Sequence, residues 1–295
     1  MLLKKIAIIG AGNVGKVLGY ALQKKGYTIT GVVCQTKISG KEAADLLYCN
    51  FYHLPEIAAR EADIVFLTTP DRVIENVCRQ IAAGGGFREG QIVLHTSGAH
   101  SSKILSPARE EGAYTLSFHP LQTFPALEEG LRSLPGTFFA VEGDEEGYPQ
   151  SLELVKALGG KLFFVPTEMK ELYHAAACIA CNYLVSLMDM ALQCFALMDL
   201  PSGEAFEALL PLIQSTLANI GEIGPEKALT GPIARGDFST INAHLAKMKA
   251  LFPEIVSIYS QMGLYTAKLA VRKGTLKEAE KEKFKTLLQG GYHSE

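Results

Sequence analysis

The stretch KIAIIGAGNVGKVLGYALQKKGYTITGVVC, residues 5–34, decides the fold. Lys5 to Ile9 is a short apolar run of strand character. Gly10-Ala11-Gly12-Asn13-Val14-Gly15 follows at once, and Val14, Leu18 and Leu22 then recur at helical spacing up to Gly26, a suitable left-handed stop. Tyr27 to Cys34 reads as a second strand. A G-x-G-x-x-G held between strand and helix is the context in which three glycines carry separate jobs. Gly10 allows a tight turn, Gly12 lets the backbone approach a pyrophosphate, and Gly15 lets helix and strand pack closely. The start of the helix, with Asn13 and Val14 in its first turn, favours the anion.

The end of the second strand chooses between nucleotides. An acid there holds the ribose hydroxyls of NAD. Here the sequence is Cys34-Gln35-Thr36-Lys37-Ile38-Ser39, with no acid before Glu42. Thr36, Lys37 and Ser39 suit a 2′-phosphate instead, so NADP is the expected cofactor, ahead of NAD.

Outward from this unit, strand and helix alternate. Asp63–Leu67 ends in Thr68-Thr69-Pro70-Asp71, Gln91–Leu94 in His95-Thr96-Ser97-Gly98, and Ala113–Phe118 in His119-Pro120. Phe138–Val141 and Lys161–Val165 extend the series. Alternation of this kind gives an α/β fold with a doubly wound parallel sheet, in which ligands bind beyond the carboxyl ends of the strands. Thr69, Pro70, Ser97 and Gly98 are therefore expected at the cofactor, and Ser97 and His119 at the substrate.

Thr167 to Met198, TEMKELYHAAACIACNYLVSLMDMALQCFALM, has no Gly and no Pro. It reads as one helix about 45 Å long at 1.5 Å per residue, N-capped by Thr167 and apolar enough beyond Ala175 to be buried on every side. Lys170, His174 and Asn182 form a polar stripe along it, and these interruptions argue against a membrane span. Everything after it is helical. Pro211 predicts a kink, Gly221–Asp237 a loop, Asp237 a cap for a helix near Phe238, and Thr275-Leu276-Lys277-Glu278 a capping box. The expected organisation is a Rossmann-type domain over residues 1–166 and an all-helical domain over 167–295, the latter for substrate binding and dimerisation.

The motifs Ser117–Phe124 (SFHPLQTF), Tyr173-His174-Ala175-Ala176-Ala177 with Asn182, and Ala228–Asp237 (ALTGPIARGD) resemble those of one bacterial family that joins a Rossmann-like domain to a helical domain of unknown function. Its plan is that of the 6-phosphogluconate and 3-hydroxyisobutyrate dehydrogenase superfamily, shared with ketopantoate, pyrroline-5-carboxylate and F420-dependent reductases. The resemblance implies an NADP-dependent oxidoreductase, with NAD or F420 as alternative carriers. It departs from the hydroxyacid dehydrogenases at one point: where they place a lysine four residues before an asparagine, Cys178 stands before Asn182. Ketopantoate reductases place a lysine eight before, and His174 stands there.

His174, whose ordinary pKa lies near neutrality, is thus the expected proton donor or acceptor for hydride transfer to an oxo acid or imine, with Asn182 orienting the substrate. His119 and Lys170 compete for the proton. Thr230 and Arg235 are expected at the substrate, Arg235 as a bidentate anion clamp. A non-catalytic NADP-binding sensor is the alternative. A net charge of −3 without charged blocks excludes nucleic acid and anionic membranes as partners. Six cysteines in apolar surroundings, with Cys178-x-x-Cys181 inside a helix, point to no metal and to a reducing cytoplasm.

Overall fold

The computed structural model describes residues 4–290. The chain divides into two compact units, one through Ala180 and one from Cys181.

The first unit is built on eight strands: β1 (Lys5–Ile9), β2 (Thr28–Val33), β3 (Asn50–Phe51), β4 (Ile64–Leu67), β5 (Ile92–His95), β6 (Tyr114–Pro120), β7 (Phe138–Gly143) and β8 (Lys161–Phe164). Their order is 3-2-1-4-5-6-7-8. From β3 to β6 every neighbour is parallel, as expected. β7 then runs antiparallel to β6, with Phe139 opposite Pro120, and β8 follows β7 in parallel. The reversal has a local cause: the segment after β6 enters β7 from the same end of the sheet that β6 leaves, and an antiparallel neighbour needs no crossover.

Helices α1 (Asn13–Lys24), α2 (Lys37–Leu46), α3 (Pro55–Arg60), α4 (Ile74–Ala83), α5 (Ser106–Glu110), α6 (Leu127–Ser133) and α7 (Tyr148–Ala157) cover the sheet. Successive side chains of β1 point to opposite faces, and both faces are apolar. Ile6 and Ile8 pack with Leu18, Leu22, Phe66, Phe118 and Phe139, whereas Ala7 and Ile9 pack with Val65, Ile74, Cys78 and Ile81. Burial on both faces is what a doubly wound sheet demands of its strands.

The stretch from Thr167 is not one helix. Thr167–Met169 is a 3-10 turn, α8 runs Lys170–Ala180, and α9 runs Asn182–Ala196. Cys181 between them has φ −114° and ψ −68°. Thr167 does not cap α8; its hydroxyl donates to Glu142 Oε2 at 2.9 Å. Nor is the stretch buried all round: Leu172, Ile179, Tyr183 and Val185 are exposed. It is long and apolar enough by composition to cross a membrane, but Lys170 near its start is fully buried inside the first unit. That packing carries the unit past the boundary expected at Pro166.

The second unit comprises α9, α10 (Ser202–Ala228), α11 (Phe238–Leu251), α12 (Val256–Lys273) and α13 (Glu278–Gln289). Its core is Ile233, Ile241, Leu245, Ala267, Phe284 and Leu288, with Phe238 stacked on Phe284 at 4.0 Å. The expected loop from Gly221 is mostly helix. α10 continues through Pro211 and leaves helical geometry only at Gly224 (φ 79°, ψ 161°), a conformation reserved for glycine. Asp237 caps α11 as expected, accepting from Thr240 N at 3.1 Å and from the Thr240 hydroxyl at 2.6 Å. The predicted box at residues 275–278 is displaced by two residues: Lys277 N donates to Glu280 at 2.8 Å.

Candidate functional site

Two neighbouring features occupy the C-terminal ends of the parallel strands. The first is the glycine cradle between β1 and β4, where the strand order reverses. Gly10 has φ +95°, and a β-carbon there would lie 2.7 Å from Thr69 N and 2.9 Å from Thr69 Cα. Thr68 holds the turn by donating its hydroxyl to Gly10 O at 2.7 Å. A β-carbon at Gly15 would meet Thr68 Oγ1 at 2.6 Å and Ile8 Cγ2 at 3.0 Å, so this glycine sets the helix–strand distance. Gly12 is different: its only neighbour would be Gly10 O at 4.0 Å. The three assigned roles thus match a turn, an open approach and a close packing contact.

The other residues expected at the nucleotide divide. Thr69 Oγ1 is buried without a partner, and Pro70 starts the short turn Asp71–Val73. Thr36 caps α2, accepting from Ser39 N at 3.2 Å, with the two hydroxyls 2.8 Å apart; exposed Lys37 follows, and the first turn holds no acid. Val14 packs its side chain on the sheet core. The Asn13 side chain is not free for a ligand, since its amide donates to Phe124 O at 3.1 Å and Pro125 O at 2.7 Å. The Ser97 hydroxyl is committed as well. It is buried and accepts from Ala99 N and His100 N, both at 3.2 Å, closing the loop after β5.

The second feature lies on the next strands. His95 is opposite Leu67 of β4 and Ser117 of β6, so the loop carrying Gly98 stands between the β4 and β6 ends. Against Gly98 pack two imidazoles: a β-carbon there would sit 2.5 Å from His174 Nδ1 and 2.8 Å from His119 Nε2. The rings meet edge to face at 6.2 Å. His119 Nδ1 pairs with Tyr173 Oη at 2.6 Å, and His174 Nε2 with Cys178 Sγ at 3.5 Å. His174 Nδ1 is buried without a partner.

Beneath them lies Lys170. Its side chain is fully buried, its Nζ has no hydrogen-bond partner, and it sits 5.1 Å from the centre of the Tyr173 ring. Burial pulls its pKa down to about 8, with Glu142 and Asp71 opposing. Glu142 is itself buried, and its carboxylate accepts from Ser102 N, from the Ser102 hydroxyl at 3.1 Å and from Thr167. It thus ties the loop after β5 to the start of α8. Burial, then the Lys170 charge, then His174 push His119 down to about 3; burial pushes the Tyr173 phenol up to about 12. His95 is also pushed down to about 3, chiefly by burial, while its ring bonds Ser97 N and Ser101 O. Around neutrality, then, His119 is a neutral imidazole and Tyr173 a neutral phenol.

The i, i+4 pair Lys170 and His174 is brought together as the helical spacing implies. Asn182 is not part of this cluster: it is exposed and lies beyond the Cys181 break, in the second unit. Thr230 and Arg235 belong to that unit too. Thr230 lines an open cavity of about 370 Å³ with Pro232, Ile233, His244 and Tyr259, and Arg235 is exposed on the turn Ile233–Arg235. Glu142, Tyr173 and Cys178 were not legible as site residues. Two signals were available: a glutamate closing an otherwise apolar strand, and Cys178 one helical turn after His174. Among the described residues no group of three or more metal-ligating side chains forms.

A doubly wound sheet with this cradle defines the class of Rossmann-like nucleotide-binding folds, and residues 3–120 match the Rossmann-like domain. Residues 137–266 match a domain of unknown function, DUF2520, so the two matches follow one another along the chain. The fold is similar to that of a provisionally named NADP oxidoreductase from Bacteroides fragilis (TM-score 0.72, 24% identity, 90% of this chain and 98% of that one). It is similar also to protein TM1727 from Thermotoga maritima (TM-score 0.70, 25% identity, 91% and 99%). A third likeness is to a pyrroline-5-carboxylate reductase from Streptococcus pyogenes (TM-score 0.63, 15% identity, 94% and 100%). No curated protein matches the sequence.

Proposed function

We propose that the protein is an NADP-dependent oxidoreductase that moves a hydride between the nicotinamide and a small oxo acid, hydroxy acid or imine, with His174 carrying the proton. The observation that supports this most is the convergence of His119 and His174 on Gly98, one strand away from the glycine cradle at the same end of the sheet. A nucleotide held at the cradle has its reactive end within reach of those strand tips. The names of the similar folds, an NADP oxidoreductase and a pyrroline-5-carboxylate reductase, agree with the reading. The hydroxyls of Thr36 and Ser39 with Lys37 support NADP over NAD.

A second copy of the chain is the proposed partner. Phe206, Leu212, Leu217 and Ile220 on α10 and Ile258 and Tyr265 on α12 are exposed, and exposed apolar helix faces mark association surfaces when they form one patch. The six free cysteines support a reducing cytoplasmic setting.

The deciding experiment is oxidation of NADPH in the presence of a panel of 2-oxo acids, 3-oxo acids and cyclic imines. Turnover with one of them is expected. His174→Ala is then expected to lower it by roughly 10²–10⁴-fold with NADP affinity retained in calorimetry. An unchanged rate removes His174 from the mechanism, and failure to bind either pyridine nucleotide removes the oxidoreductase.

A further inference from the structure

Each imidazole over Gly98 has one nitrogen engaged and one free. His119 Nδ1 is engaged by the Tyr173 hydroxyl and His174 Nε2 by the Cys178 thiol. His119 Nε2 has no partner among the described residues, and neither has the buried His174 Nδ1. In a neutral imidazole, the group bonded to one nitrogen decides which nitrogen carries the proton. A phenol is a good donor, and a thiol, though weak in either role, can give its hydrogen to an imidazole nitrogen. The Tyr173 phenol, held protonated by burial, keeps its hydrogen to give.

We propose that Tyr173 and Cys178 are positioning residues that fix the two tautomers, so that His119 Nε2–H and His174 Nδ1–H stand side by side at Gly98 as a pair of donors for one substrate oxygen. The assignment rests on the oxidoreductase reading for its substrate and refines it. Two N–H donors beside the Lys170 ammonium favour a carbonyl or carboxylate oxygen and oppose a protonated iminium, which offers hydrogens and positive charge where acceptors are needed. The one buried carboxylate nearby, Glu142, is already bonded to Ser102 and Thr167, and Asp71, the other acid facing Lys170, is exposed to water, so no buried acid is left to balance a cationic substrate. Gly98 is required for the arrangement because any side chain there would collide with both nitrogens.

The test is nitrogen-detected NMR of the full-length protein, labelled at histidine, at neutral pH. His119 is expected as the Nε2–H tautomer and His174 as the Nδ1–H tautomer. Tyr173→Phe should release His119 into a mixture. Cys178→Ala should do the same for His174, whereas Cys178→Ser, which keeps a donor, should leave it fixed. The opposite tautomers in the unaltered protein, or tautomers indifferent to these changes, would overturn the assignment. A fold defect does not mimic this pattern, because serine and alanine differ only in the hydroxyl. With NADP⁺ present, oxalate should shift both imidazole signals together and pyrrolidinium neither. Movement with the cation, or with neither probe, rejects the substrate class. Loss of NADP⁺ binding strikes the oxidoreductase reading alone and leaves the tautomer result standing.

Discussion

The strand tips beneath α8 and the outer faces of α9, α10 and α12 depart from the rule of burial in opposite directions. At the tips, Lys170 Nζ, His174 Nδ1 and Thr69 Oγ1 are shut away from water without hydrogen bonds. On the outer helices, Tyr183, Val185, Leu212 and Tyr265 stand in water without apolar cover. Both arrangements cost free energy in the isolated chain, the first through desolvated polar groups and the second through hydrated hydrocarbon. The difference teaches what each region lacks. A buried donor is satisfied by a small polar ligand, whereas a broad apolar face is satisfied by another protein surface.

The largest effect expected from this contrast is on acid stability. His95 and His119 are held near pKa 3 in the fold against an ordinary 6.5. Between those values the unfolded chain binds more protons than the folded one. Stability should therefore be intact above about pH 6.5 and decline by several kcal/mol as the pH falls towards 3. Urea midpoints at pH 7 and pH 4.5 will show it, and His119→Gln should blunt the decline if this region is responsible. Next comes Lys170→Met. The ammonium, near 8 in the fold against 10.5 free, is unfavourable at neutral pH, so its removal should stabilise by about 3 kcal/mol while abolishing activity. The gain should shrink as the pH rises from 8 towards 10.5, where the unaltered chain loses the penalty. A destabilised Lys170→Met protein would mean that the lysine is a structural member of the sheet unit.

On the apolar side, Val185→Asp combined with Leu212→Asp should cost a monomer at most about 0.5 kcal/mol per site, since exposed substitutions are usually that mild. Light scattering should nevertheless report a halved mass if these faces are covered by a second copy. An unchanged mass would leave the exposed helices without that explanation. The smallest effect serves as the control. Asp237, whose carboxyl is held down near 2 by the Thr240 hydroxyl and amide, by Ser239 and by Arg235, has every bond it needs within its own unit. Asp237→Ala should lower the thermal or urea midpoint slightly, as loss of an ordinary cap does, with turnover unaffected.

The legibility of the chain follows the same division. Elements specified by their own periodicity and caps were readable: the strand–glycine–helix start, the Gly26 stop and the Asp237 cap all depend on neighbours a few residues away. The break at Cys181 was not, because the run around it holds no Gly or Pro and nothing local marks the interruption. The β7 reversal was hidden too, since strand direction is a property of the connection rather than of the apolar run. In the site, the i, i+4 spacing gave Lys170 and His174. Tyr173 and Glu142 act through partners 54 and 40 residues away, His119 and Ser102, and such pairings leave no trace in a single sequence, whereas Cys178 stands one helical turn from His174 and only its role was hidden.

The amide of Asn13 joins the first turn of α1 to the carbonyls of Phe124 and Pro125, in the segment that leaves His119. The mouth of the nucleotide cradle and the chain behind the imidazole are therefore one mechanical piece across 111 residues of sequence. Occupancy at one end is then expected to be felt at the other. Dead-end inhibition with a nucleotide analogue should accordingly reveal compulsory-order addition, nucleotide first, and Asn13→Ala should relax it to random order.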